Sequence, residues 1–301
     1  MLLSKTTNKA QGKGNSMVQI PSDQIKSKEI LDWKGLHLFH FRGSSCSQKL
    51  RIYLNLKGIS WTPHSINLAS GKNYSEWFLG INPKGLVPVL VDDGHVEIES
   101  NDILEYLEKK FPENSFSSTK SNSEIKLLLK EEDDLHEDIR NIAYRYMFGG
   151  LGTKQPKKLK KYEQYKSPDQ ELDKLKMKEV EFYENFGKYG ITDNAVKNSL
   201  LRFSECYERY ESLLKHQSFF TGNDLSLVDI AWFIYSYRLF ISGYPFDTKF
   251  PLVSKWFQKL YSRKEFFKEV NDPLLFKLIR LYARISTSIS GKSISKMLNN
   301  S

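Results

Sequence analysis

No stretch of about 18 consecutive apolar residues occurs in this chain, so the sequence offers no membrane-spanning helix. Cysteine is nearly absent. The two thiols, Cys46 and Cys206, cannot build a disulfide framework, and they point to a reducing compartment in which a free thiol survives. The histidines include no His-x-x-x-His pair with a partner acid, so no metal site is expected, and neither a phosphate-cradling glycine loop nor a G-x-S-x-G elbow is present. Acidic residues are missing from the first 17 positions, MLLSKTTNKAQGKGNSM, as is the apolar block that a secretory signal needs. Residues 1–34 read as a flexible leader. A cytoplasmic location is expected, with organelle import through the basic leader left open.

What the chain does carry is local charge. Nine lysines between Lys154 and Lys178 stand against Glu163, Asp169, Glu171 and Asp173, so this one stretch supplies +5 of the formal net charge of +9. Charge concentrated in this way argues against nucleic-acid binding. It reads as a Lys-rich, solvated and dispensable insert at about 150–190, or as a docking patch for an acidic partner or a membrane surface. A hydrophobic content of 40% suffices for a sizeable core.

The first half mixes strand and helix signals. LHLFHF (36–41) alternates as a strand, residues 46–57 have helical spacing, and Gly58 suits the left-handed end of that helix. ISWTPHSINL (59–68) reads as a strand weakened by Pro63. YSEWFLGINP reads as a short helix. GLVPVLVDDGHVEIES (85–100) is a hairpin around Asp93-Gly94, followed by a helix for which Ser100 is the expected N-cap. This βαβ, helix, ββα order is the thioredoxin-like arrangement, over residues 35–112. Beyond PENSFSSTKSNS the strand signals vanish, so residues 123–275 should form a separate all-helical bundle, with an amphipathic, basic tail at 276–301 that reads as docking on the fold or on a subunit, peripheral membrane contact being the alternative. Ser226 and Asp229 form a capping box at the start of an apolar helix whose Trp232, Phe233, Tyr235 and Tyr237 read as core.

Three small residues, Ser44, Ser45 and Cys46, directly precede the first helix. Its positive end would favour an anion there, either the Cys46 thiolate, with Lys49 and Arg51 adding charge nearby, or a bound thiolate held by the hydroxyls. The bland alternative leaves Ser44 as a helix cap and Cys46 as a packed apolar residue. Pro88 interrupts a strong strand, and a cis Val87–Pro88 bond would free the peptide groups of Val87 for a peptide ligand. Glu99 and Ser100 open the third helix, where a ligand carboxylate could meet N–H groups and a hydroxyl.

With these motifs in hand, FRGSSCSQKLRIYLNLKGI, NPKGLVPVL, IESNDILEYLE and FTGNDLSLVDIAW resemble the glutathione S-transferase superfamily. The Ser-Ser-Cys run is most similar to the zeta class (maleylacetoacetate isomerases) and to tetrachlorohydroquinone reductive dehalogenases. The resemblance covers roughly residues 36–112 and 200–270. It implies glutathione as co-substrate, with its thiolate near Ser44, Ser45 and Cys46 and its peptide held by Lys84, Val87, Pro88, Glu99 and Ser100. It further implies a small organic electrophile as the second substrate, turned over by conjugation, isomerisation or thiolate-mediated reduction, and a homodimer. A non-catalytic module of the same fold, recruiting a partner through insert and tail, is the alternative. The chain departs from the zeta pattern at Gln48-Lys49 and Leu86, and the substrate-carboxylate arginine of zeta isomerases falls at Ile241, near Arg238.

Overall fold

The computed structural model describes residues 19–299 apart from 114, 117–119, 149–155 and 168–169. The leader through Val18, parts of the linker, and Lys154 and Asp169 of the Lys-rich stretch lie outside the described residues. The first half forms β1 (Leu36–His40), α1 (Ser45–Lys57), β2 (Thr62–Ser65), α2 (Glu76–Leu79), β3 (Val89–Asp92), β4 (His95–Ile98) and α3 (Ser100–Lys110). The sheet order is β2-β1-β3-β4, with β1 and β2 parallel and the other pairs antiparallel. Pro63, which lacks an N–H, is tolerated because β2 is an edge strand. Alternation divides the faces: Leu38 and Leu90 pack with Leu50, Leu54 and Ile103 of α1 and α3, while Phe39, Val89 and Val91 point to the opposite side.

That opposite side corrects one expectation. Ile20, Ile25 and Ile30, placed by sequence in the flexible leader, are buried against Phe39 and Val91. Gly94 in the hairpin turn, at φ +84°, approaches this segment so closely that a Cβ there would lie 2.1 Å from the Leu31 carbonyl oxygen. Residues 19–34 are therefore part of the domain.

The second half is helical: α4 (Asn122–Asp134), α5 (His136–Ala143) running into a π-helical turn (Tyr144–Phe148), α6 (Pro156–Gln164), α7 (Gln170–Tyr189), α8 (Asp193–Leu213), α9 (Leu227–Ser242), α10 (Phe246–Lys249), α11 (Pro251–Tyr261), α12 (Lys264–Val270), α13 (Leu274–Ile289) and α14 (Ile294–Asn299). α9 is buried nearly all round. The capping box forms: Ser226 Oγ accepts from the Asp229 N–H, and the Asp229 carboxylate accepts from the Ser226 N–H at 3.0 Å. Asp229 also accepts from the Phe220 N–H and Trp256 Nε1, both at 2.9 Å, so its buried charge is fully occupied.

α6 is not the solvated insert expected from its lysines. Tyr162 stacks on Tyr74 with ring centroids 4.4 Å apart and donates its hydroxyl to the Lys84 carbonyl at 2.6 Å. Tyr165 donates to the Leu79 carbonyl at 3.1 Å, and Lys158 Nζ donates to that of Ala69 at 2.9 Å. α6 thus clamps the loop that leads into β3. Among the described residues no helix is long and apolar enough to cross a membrane.

Candidate active site

α1 begins where the sequence placed it. Ser44 is extended (φ −75°, ψ 123°) and its Oγ accepts from the Ser47 N–H at 3.3 Å. The helix ends on Gly58 at φ +65°, with Ile59 N–H bonded to Leu54 O and Gly58 N–H to Asn55 O, the paired closure that a left-handed residue permits. This fixed helix aims Ser44, Ser45 and Cys46 in three directions.

Ser44 caps α1 and also lies 3.5 Å from the Val87 carbonyl oxygen, joining the strand–helix junction to the loop before β3. The Val87–Pro88 bond is cis. Ser45 Oγ accepts from Arg238 Nε at 3.3 Å. Arg238 is buried and also donates to the Gly43 carbonyl at 2.9 Å and to Gln48 Oε1 at 2.6 Å, while burial pulls its pKa below the usual value. It therefore braces the turn that carries Ser44 and Ser45 and is not presented to a substrate carboxylate. Ile241 is buried as well.

Cys46 faces the helical domain. Its thiol lies near His136, at the start of α5, close enough to act on the charge of that ring. His136 Nδ1 lies 3.0 Å from the Tyr235 hydroxyl of α9. Desolvation by surrounding groups opposes protonation of this ring, yet the nearby Cys46 outweighs it and pushes the pKa up to about 9. As a residue His136 keeps exposed surface. The apolar packing considered for Cys46 describes Cys206 instead, which lies against the helical core with its pKa pushed up to about 12 by burial.

Lys49 does not stand beside Cys46 as a free cation. Its Nζ is fully buried, 2.7 Å from both Glu132 Oε2 and Asn101 Oδ1, in a pair that ties α1 to α4. Burial works against the ammonium, but the charge and hydrogen bond of Glu132 more than compensate, so its pKa is raised. Arg51 is likewise committed, 2.5 Å from Glu269 of α12.

The residues expected to hold the peptide form a second group. Lys84 Nζ and Glu99 Oε1 are 2.5 Å apart. Glu99, at φ +65°, takes the cap position of α3 in place of the expected Ser100, which is the first helical residue and is 5% exposed. No side chain caps this helix, so its leading N–H groups remain available to an anion. Lys84, Leu86 and Glu99 form one wall of a cleft of about 600 Å³ whose other wall is Glu137 and Arg140 of α5 with Tyr162 and Phe182 of α6 and α7. Sequence reasoning missed His136 and Tyr162. His136 had no second ligand nearby in sequence to flag it, and Tyr162 was hidden among lysines.

A family model described as the glutathione S-transferase N-terminal domain matches residues 38–115, and one described as the C-terminal domain of the same family matches residues 159–264. Much of the stretch at about 150–190 that reads as an insert therefore lies within the matched helical domain. A zeta-class glutathione S-transferase from Euphorbia esula is 47% identical over 78 residues, 26% of this chain and 35% of that relative, so the chain spans about a third of its length. Protein LigF of Sphingobium sp. is 25% identical over 260 residues, 80% of this chain and 96% of that protein. The crystal structure of the β-etherase LigF from strain SYK-6 matches with a TM-score of 0.64 at 22% identity, covering 78% of this chain and 98% of that one. A thioredoxin-like domain, a helical bundle and two matched domain models that together span more than half of the sequence make this chain a member of the glutathione S-transferase family.

Proposed function

We propose that the protein is a glutathione-dependent enzyme acting on a small organic electrophile, and that Cys46 is its reacting protein thiol. The peptide of glutathione would pair with Val87 ahead of Pro88. Its γ-glutamyl carboxylate would meet the uncapped N-terminus of α3 beside Glu99 and Ser100, and Lys84 would lie within reach. Ser44 and Ser45 border the glutathione sulfur, where a hydroxyl hydrogen bond to a thiolate contributes about 1.5–3 kcal/mol.

What supports the choice of thiol is the nearness of Cys46 to His136 across the domain boundary. Such a pair suits removal of glutathione from an adduct. The Cys46 thiolate attacks the glutathionyl sulfur, a sulfur–sulfur bond forms, the sulfur–carbon bond breaks, and the organic fragment leaves with the electron pair and takes a proton from His136. A second glutathione then attacks the mixed disulfide, releasing oxidised glutathione and restoring Cys46. The net change is one organic fragment reduced and two glutathiones oxidised. Conjugation or isomerisation needs only the glutathione thiolate and would rest on Ser44 or Ser45.

The test combines calorimetry with glutathione and mass spectrometry after exposure to oxidised glutathione. Expected are measurable binding, an adduct on Cys46, and loss of reductive turnover with retained binding in Cys46→Ser. No binding at millimolar glutathione removes the peptide-site assignment. Turnover that survives Cys46→Ser and collapses in Ser44→Ala returns the chemistry to the serines.

A further inference from the structure

The tail helix α13 presents its apolar side outward. Leu274, Leu278, Leu281 and Ile285 form one row along it and Leu275, Tyr282 and Ile289 the adjoining row, all between 50% and 82% exposed. On the side turned toward the bundle the half-buried positions are Ile279, Arg280, Ala283 and Thr287, and Arg280 is paired with Asp272 at 2.5 Å. Most of the helix's large apolar side chains are thus left outside, whereas a surface helix usually buries its apolar stripe. The helix is nonetheless anchored, since Tyr146 donates to the Lys292 carbonyl at 2.8 Å just beyond it and Ile294 and Leu298 of α14 are buried.

Charge identifies what the stripe meets. From Pro273 to Ser301 the sequence has five cations, Lys277, Arg280, Arg284, Lys292 and Lys296, and no acid. Lys277 and Arg284, seven residues apart, lie along one edge of the stripe, and with Arg280 they line a groove of about 580 Å³ against Phe240 and Phe246. A second copy of the chain docking stripe to stripe would bring two such cationic tails together. An anionic lipid surface takes the stripe into its acyl boundary and places headgroup phosphates at Lys277 and Arg284 along its edge. From these observations we propose that α13 seats the protein on an anionic membrane surface, lying in the plane of the interface without spanning it.

Sedimentation with phosphatidylcholine vesicles, with and without phosphatidylserine, tests this on the full chain. Binding is expected only with phosphatidylserine, weakening as salt is raised, and falling at least about tenfold in Leu278→Glu/Ile285→Glu and in Lys277→Glu/Arg284→Glu. Because these side chains are exposed, the variants should keep the wild-type circular dichroism and glutathione affinity. Absence of binding to anionic vesicles, or equal binding by wild type and both variants, overturns the proposal. So does a stable dimer in light scattering that Leu278→Glu/Ile285→Glu dissociates, an outcome that assigns the stripe to a second copy.

Discussion

Lys49→Met should be among the most damaging single substitutions outside the apolar core. Lys49 and Glu132 have no exposed side-chain surface and lie 2.7 Å apart, so removing the ammonium leaves a carboxylate in the interior without its counter-charge, held by neutral donors such as Asn101 Nδ2 at 2.9 Å. Stranding one member of a buried pair costs about 3–5 kcal/mol. Replacing both members, Lys49→Met with Glu132→Leu, removes the uncompensated charge. What remains is Asn101, whose Oδ1 loses its donor, at about 1–3 kcal/mol. The double variant should therefore be more stable than Lys49→Met alone, a sign that no sum of independent losses can give. Urea unfolding followed by far-ultraviolet circular dichroism and tryptophan fluorescence measures all members of the cycle. The two probes should separate in Lys49→Met, because the pair ties α1 to α4 across the two domains. A loss below about 1 kcal/mol in Lys49→Met, or a double variant that loses the sum of the two single changes, would refute the reasoning.

Two further outcomes follow from named contacts. Tyr162→Phe removes the hydroxyl that holds the Lys84 carbonyl and keeps the ring stacked on Tyr74, so glutathione affinity by calorimetry should weaken by about 0.5–1.5 kcal/mol with little change in unfolding midpoint; unchanged affinity would detach α6 from the site. His40 is held neutral, its pKa lowered to about 4 by burial and by Arg51, which donates to its Nδ1 at 3.2 Å. A base whose folded pKa lies below its unfolded value binds fewer protons when folded, so its stabilisation is full above about pH 6.5 and drains away as pH falls toward 4. Discounted for the residue's partial exposure, this is about 1–2 kcal/mol. His40→Asn should flatten that part of the stability profile between pH 7 and 4.5, and an unaltered slope would show that His40 does not carry it.

The sequence by itself determined the order of elements in the first domain and the helical class of the second, because each signal is local. Strand alternation in LHLFHF, Gly58 at a left-handed helix end, Asp93-Gly94 in the hairpin turn and the Ser226–Asp229 box all act within a few residues. It also determined that Ser44, Ser45 and Cys46 stand at the start of α1. Which way each of them faces was decided by tertiary structure alone: Arg238 reaches Ser45 from 193 residues away, and His136, 90 positions beyond Cys46, comes near its thiol because α5 packs across the domain boundary. Lys49 and Arg51 read as charge for the site because sequence shows a cation but not its partner, and the partners, Glu132 and Glu269, come from the other domain. Lysine bias likewise masked the helical spacing of Leu172, Lys176, Val180 and Tyr183, which are buried together on α7. Composition averages over a helix, whereas burial selects one face of it, and only packing against a neighbour decides which face that is.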